Sequence, residues 1–407
     1  MNLSILELGP MWRALMRNKT GALLIALQIA VTMTIVINSV SIVLERDSMM
    51  QRESGLDEPD TFYLTSTGFS ADFNGQATAT EDLIALREFP GVKSAIQLNA
   101  IPISGGGWSM SLKSEPGEDV DGTGTAVYMV DEFGVDALDL DLIAGRNFER
   151  NDIRWRMPSQ SDWPATVIIT EALAVSIFES VDNAVGKTVY IGDDEPMTVI
   201  GVIDRLQAPW VGWNNLEHAM LSPENLGFQS TRYLIRTEDG QRDTLMPQIE
   251  EMLAARQSDR IIRNMSTLTE TRERSYRQHN AMIKILLTVI VSLTLITALG
   301  IVGLASFSVQ KRTRQIGTKR ALGASQTTIL RFFMVENGMI TLVGVVLGSA
   351  LTIGLNMLLV DWFSLTPLSW QYIPIGIFAM LSVGQLAVLG PAKRAASISP
   401  AMATRAG

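Results

Sequence analysis

Four long runs of apolar residues without a charge punctuate the chain, and a polar block with shorter alternations separates the first from the second. The first run, Thr20–Leu44, would extend about 38 Å as a helix, against about 30 Å of bilayer hydrocarbon. The others cover 285–310, 337–360 and 370–390, and each is long enough to predict a transmembrane helix. The first is too long for the apolar core of a signal peptide and is followed by the polar stretch ERDSMMQRE, so it reads as an uncleaved anchor. Before it, Trp12, Leu15 and Met16 alternate with Arg13, Arg17 and Lys19 after Pro10, the pattern of an interfacial helix over 1–19. Within the polar block, strand-like Thr61–Ser66 is followed by helix-like Thr80–Phe89 and strand-like Val92–Ile103. The same order returns at Tyr233–Arg236, Asp243–Ala255 and Arg260–Met265. Two such units, 60–104 and 230–265, predict a ferredoxin-like subdomain. Residues 105–229 interrupt it as a β-rich insertion, with strands at Thr166–Thr170, Thr188–Ile191 and Met197–Val202. A polar helical pattern over 266–284 predicts a stalk running unbroken into the second span. The fold class is therefore an α-helical membrane protein with four transmembrane helices plus a large α+β extracytoplasmic domain.

Charge orients this layout. Before residue 45, over 311–336 and after 391 there are 12 Lys/Arg and 2 Asp/Glu, whereas 45–284 holds 21 Lys/Arg and 39 Asp/Glu. Lys and Arg resist translocation, so both termini and the 311–325 loop are expected inside and the acidic block, 45–284, outside. That acidic block also argues against nucleic acid as a partner.

The candidate chemistry is sparse. The chain has no cysteine, which excludes disulfides, thiol catalysis and Cys-built metal sites. With only His218 and His279, a His-built metal centre is not expected either. Val185-Gly186-Lys187-Thr188 is not a phosphate loop, because the glycine required five residues before Gly186 is Val181; it reads as a turn before a strand. Acidic clusters such as Asp193-Asp194-Glu195 read as solvated surface. The spans carry no ionisable residue, which disfavours a secondary transporter or proton pump. No catalytic, cofactor-binding or metal-binding residue is expected on this chain.

Lys311–Ser325, KRTRQIGTKRALGAS, carries five basic residues and no acid between the second and third runs. Ile316, Ala321 and Leu322 fall on one side of a helix, Gly323 suits its C′ position, and Ser325 can cap the next helix. A short helix along the membrane surface, joined by a tight turn to the next span, is predicted. IGTKRALGAS resembles the E-I-G-x-x-[KR]-A-L-G-A-[ST] motif of permease subunits in MacB/FtsX-like (type VII) ABC transporters. GRNFERNDI, VIITEALAVSIF and VGKTVYIGDDEPMTVIGVI resemble the MacB-type periplasmic core domain, and PAKRAASISPAMA resembles the family's C-terminal ending. Gln315 and Ser399 stand where the family usually has Glu and Asp.

The resemblance implies a multi-pass protein of the bacterial inner membrane whose ferredoxin-like part is a porter-like subdomain. It implies a coupling helix, 311–325, that docks on a separate cytoplasmic ABC ATPase through Lys311, Arg314, Gln315, Ile316, Gly317, Lys319, Arg320, Leu322 and Gly323. ATP and Mg would belong to that partner, since no nucleotide-binding domain precedes the first span in this sequence. A second permease chain, identical or closely related, is implied. So is either a periplasmic adaptor with an outer-membrane channel for export, or a periplasmic cell-wall hydrolase in FtsX-like members. Lol-type lipoprotein release is a further alternative. The permease itself would be non-catalytic and would relay ATPase-driven motion to the periplasmic domain.

Two features leave alternatives open. Gly344 and Gly348 form G-x-x-x-G in the third span, and Gly300, Gly303 and Ser306 could offer an opposing groove within the chain or across a dimer. Trp210 and Trp213 suit either a partner surface or a core.

Overall fold

The computed structural model describes residues 19–192, 194–363 and 367–399, so the expected interfacial helix before Lys19 and the tail from 400 lie outside the described residues. The chain divides into two compact units, 51–278 and the remainder on either side of it. The first described element is helix α1 (Lys19–Met50), which belongs to the second of these.

The 51–278 unit begins with β1 (Thr61–Gly68), α2 (Gly75–Arg87) and β2 (Val92–Leu98). The expected helix starts five residues early because the Asn74 side chain accepts from Ala77 N at 3.0 Å and caps it. Then come β3 (Trp108–Lys113), β4 (Thr123–Val130), α3 (Gly134–Ala137), β5 (Leu142–Gly145) and β6 (Arg154–Arg156). These are followed by β7 (Thr166–Thr170), α4 (Glu171–Phe178), β8 (Thr188–Ile191), β9 (Glu195–Ile203) and β10 (Ala219–Leu226). The chain then returns through β11 (Ser230–Thr237), α5 (Arg242–Arg256), β12 (Arg260–Thr267) and α6 (Leu268–Ser275). Strands β12, β1, β11 and β2 form an antiparallel sheet in that order, the 4-1-3-2 order of a ferredoxin-like β-α-β, β-α-β pair split by an insertion.

The insertion is more than a collection of short strands. Its pairings run β4–β3–β8–β9–β7–β10 and return from β10 to β4, closing a ring of six, with β5 added on β9 and β6 on β10. Closure leaves no open edge in the ring. Alternate residues serve two cores: Val127, Met129, Val167, Ile169 and Met220 fill the ring, while Ala126, Tyr128, Val130, Ile168 and Leu221 point outward. These outward residues share a core with Tyr63, Ile96, Leu98 and Leu234 of the ferredoxin-like sheet. The other face of that sheet, with Phe62, Leu64, Tyr233 and Ile235, packs on Leu83 and Leu86 of α2 and Leu245, Ile249 and Leu253 of α5. Strands buried on both faces explain why AVYMV and TVIIT are continuous apolar runs. Trp210 and Trp213 meet edge to face at 5.5 Å, half-buried against the shared core, which places them as packing residues.

Buried charges in this unit are paired. The Glu224 carboxylate is fully buried and receives Arg154 Nη2 at 2.9 Å, Arg156 Nε at 3.0 Å and the Ser222 hydroxyl at 2.9 Å. Asp82 accepts from Arg260 and, at 2.8 Å, from the Tyr233 hydroxyl, whose ionisation burial pushes well above its usual range.

The expected unbroken stalk is interrupted. Residues 266 and 267 still belong to β12, and the helix starts at Leu268 with a reciprocal cap between Thr267 and Glu270. It pauses at Tyr276, whose N–H bonds back to Arg272 and Arg274, before α7 (Arg277–Lys311) begins. After it come α8 (Thr313–Ala321), α9 (Gln326–Phe363) and α10 (Tyr372–Ala396). Among the described residues α1, α7, α9 and α10 are the helices long and apolar enough to cross a membrane. Ile25, Ile29, Met33 and Ile37 of α1 meet Val345 of α9, Met380 and Val388 of α10 and Ile301 of α7 in one core. Helix α7 is covered least, and Ile285, Val291, Leu295 and Leu299 stand exposed.

Replacing Glu224 with Ala leaves the buried Arg156 without its counter-charge, while Arg154 keeps Asp162, and is expected to destabilise the 51–278 unit by about 3–5 kcal/mol, read by chemical denaturation. Residues 51–278 produced alone are expected to fold and melt in one cooperative transition; circular dichroism of an unfolded chain would place the boundary elsewhere.

Candidate coupling site

The corner between α7 and α9 is built from residues 311–325. Helix α7 ends at Lys311, Arg312 leaves helical geometry, and α8 follows at once. Helix α8 stops in a Schellman arrangement, in which Ala324 N bonds Lys319 O at 3.0 Å and Gly323 N bonds Arg320 O at 3.1 Å. Gly323 takes φ +95°, a conformation that a side chain would strain. Ser325 then caps α9, accepting from Thr328 N at 3.1 Å. Two residues of the corner are turned inward. Ile316 and Gly317 are buried, Ile316 in a cluster with Val309, Ile329, Phe333, Ala392 and Ala395.

The rest of the predicted coupling residues are displayed. Lys311, Arg314, Gln315, Lys319, Leu322 and Gly323 are exposed, and Arg320 is half-buried with one guanidinium N–H on Ala324 O at 3.3 Å. The sequence pattern grouped Ala321 and Leu322 with Ile316 on one apolar face. The structure separates them, because the turn at Gly323 begins there: Ala321 is exposed and Leu322 is 83% exposed. Lys319 lies 4.9 Å from the centre of the Phe332 ring and Lys311 5.3 Å from that of Phe307, so both ammonium groups are held over aromatic faces. The surface is a rigid, basic knuckle with an apolar tip.

Sequence reasoning passed over an ion pair beneath it. Arg312 Nη1 lies 2.9 Å from Glu336 Oε1, and Glu336 is nearly buried. Glu336 sits one residue before the predicted third span, within the helix that begins after the Ser325 cap. A single acid beside an otherwise uncharged span, opposite a basic loop, was the available signal.

The glycines predicted to pack do not act as one groove. A Cβ on Gly344 would lie 2.8 Å from the Ala26 carbonyl oxygen and 2.9 Å from Ile29 Cβ; one on Gly348 would lie 3.1 Å from Ala30 Cα and Met33 Cβ. Their partner is therefore α1 of the same chain, and the α7 glycines are not opposite them. Gly300 faces the Gln28 amide of α1, and no described atom lies within 4 Å of where a Cβ on Gly303 would stand. Close approach of α1 and α9 also brings polar groups within reach. The Thr34 hydroxyl donates to Gly348 O at 3.3 Å, and Asn38 Nδ2 donates to Thr352 O at 3.4 Å. Thr32 and Thr297 hydroxyls join α1 to α7 at 2.7 Å. None of these was singled out from sequence, since uncharged polar residues are common in apolar runs.

Comparison with known proteins covers both units. Residues 20–252 match the family model of the MacB-like periplasmic core domain, and residues 287–400 match that of the FtsX-like permease C-terminal. A macrolide export ATP-binding/permease protein MacB of Salmonella paratyphi A is 26% identical over 96% of this chain and 59% of its own length. One of Chromobacterium violaceum is 28% identical over 64% of this chain and 40% of its own length. The chain thus spans about two fifths to three fifths of these curated relatives. Among solved structures, the periplasmic region of MacB from Actinobacillus actinomycetemcomitans aligns at 18% identity with TM-score 0.33, covering 53% of this chain and 94% of that one.

Substituting Gly348 with Leu forces α1 and α9 apart and is expected to cost about 1–3 kcal/mol, seen as earlier thermal unfolding in detergent. Gly303→Leu is expected to leave that transition of the single chain in place.

Proposed function

We propose that this chain, which belongs to the MacB/FtsX-like permease family, is a permease subunit that relays motion driven by ATP hydrolysis to its periplasmic unit for export or extrusion of substrate. The observation that carries this reading is the knuckle between two spans, anchored inward by Ile316 and presenting Arg314, Lys319 and Leu322 outward. A large apolar side chain that is 83% exposed beside fixed positive charge suits a docking surface that is covered in an assembly. The partner is a cytoplasmic ABC ATPase that holds ATP and Mg, which places residues 311–325 and both termini inside and the 51–278 unit in the periplasm. A second permease chain, identical or closely related, completes the transporter. A periplasmic adaptor and an outer-membrane channel carry the substrate onward.

In this scheme ATP-driven closure of the ATPase displaces α8. The spans deliver the displacement through α1 and α7, the two helices that lead by covalent connection into the periplasmic unit. No reaction on substrate is assigned to this chain.

Arg314→Glu combined with Leu322→Asp changes only exposed positions, so the permease should still fold while the ATPase no longer co-purifies in mild detergent. Unchanged co-purification would refute docking at α8. Gly317 is a poorer probe than either, because it is buried and a bulky residue there would disturb α8 itself.

A further inference from the structure

Helices α8 and α9 turn back on each other across residues 322–325, and three contacts join them at helical spacing. Lys319 rests over Phe332, Ile316 shares a cluster with Ile329 and Phe333, and Arg312 pairs with Glu336. On the α8 side these are the capping residue 312 and helix positions 316 and 319; on α9 they are 329, 332, 333 and 336, one face of each helix. The ion pair lies furthest from the turn, so it closes the hairpin at its open end. Arg312 Nη1 reaches both carboxylate oxygens, at 2.9 and 3.0 Å, and the side chains are 22% and 11% exposed. The pair also borders a crevice of about 50 Å³ lined by Phe307, Phe333 and Asn337, in surroundings where an unmatched charge is strongly disfavoured.

Between α7 and α8 the joint is a break in the helix, spanned by the Thr313 hydroxyl on Val309 O at 3.1 Å and Gln310 O at 2.9 Å and by Val309 beside Ile316, with no ion pair across it among the described residues. Arg312 itself, at φ −106° and ψ 10°, interrupts the helix, and α7 is the least covered of the four long helices.

We propose that the Arg312–Glu336 pair latches α8 and the adjoining turns of α9 into one body, so that a displacement of α8 drives α9 first and α7 bends at Arg312. The proposal rests on α8 being the coupling helix. From α9 the motion passes to α1 through the backbone contacts at Gly344 and Gly348. Arg312 and Glu336 are positioning residues: they touch neither nucleotide nor substrate, and they determine which span receives the push.

The absence of cysteine allows labels to be placed without background. The intact chain, co-purified with its ATPase, would carry spin labels at Thr318→Cys and Ala350→Cys to follow α8 against α9. A second pair at Thr318→Cys and Leu299→Cys follows α8 against α7. On adding MgATP, the 318–299 distance should shift while the 318–350 distance stays constant. A shift of 318–350 with 318–299 constant would overturn the proposal. In Glu336→Gln the 318–350 distribution should broaden and lose its constancy, and Arg312→Glu with Glu336→Arg should recover both. If no ATPase co-purifies, or MgATP shifts neither pair, the coupling reading fails by itself. The latch is then decided without nucleotide: a broad 318–350 distribution in Glu336→Gln that narrows in the charge swap supports it, and equal widths in all three chains overturn it.

Discussion

The membrane unit depends on how closely two backbones can approach. At Gly344 and Gly348 the absence of a side chain lets α9 lie directly on Ala26 and Ala30 of α1, with Ile29 and Met33 closing over the contact. Lipid tails are as apolar as Leu, so burial alone gives helices little reason to associate, and dense packing with interhelical hydrogen bonds has to supply it. The approach makes both available. Asn38 reaches Thr352 O across the seam, and Thr34 reaches Gly348 O at 3.3 Å. Helix α10 adds to the same block, where Asn337 Nδ2 donates to Gly384 O at 2.9 Å.

Against that block, α7 and the α8 knuckle are held differently. Among the described residues α7 is held by one hydroxyl pair, one amide contact, Arg46 on the His279 ring at 3.0 Å and a small apolar patch, whereas α8 is clasped to α9 by an ion pair, a buried isoleucine and a lysine over a ring. A three-helix block with one loosely covered helix is an arrangement in which a push has few ways to spread. The 51–278 unit is built to the opposite standard. Its strands are buried on both faces, its insertion closes into a ring, and its interior charges at Glu224 and Asp82 are matched. Such a unit moves as a whole more readily than it deforms.

Much of this was legible in the chain. The four spans follow from uncharged runs longer than the bilayer is thick, and Thr166–Thr170 and Thr188–Ile191 were predicted with the bounds they have in the structure. The split ferredoxin-like pair was visible because each half repeats strand, helix and strand. The corner's Gly323 and Ser325 announced themselves because both act through the local backbone, at φ +95° and at the Thr328 amide. Where the reading failed, distant parts of the chain decided. Ala321 and Leu322 matched a helical face, but the face had nothing to meet once the chain turned at Gly323. The partner of the third-span glycines was open between another span and a second chain, and within this chain α1 is the helix that meets Gly344 and Gly348.

The sequence by itself determined what depends on neighbours a few residues apart. Span length, strand alternation, helix caps, turn glycines and the sign of charge in each segment are all of this kind, because propensity, periodicity and capping are short-range. Only the tertiary structure decided which helix the Gly344–Gly348 face touches, that six strands close into a ring, and that Arg312 finds Glu336. Those outcomes join residues far apart in the chain, and many pairings are compatible with the same local pattern. Packing selects among them, because only one arrangement fills the space and leaves no buried charge alone.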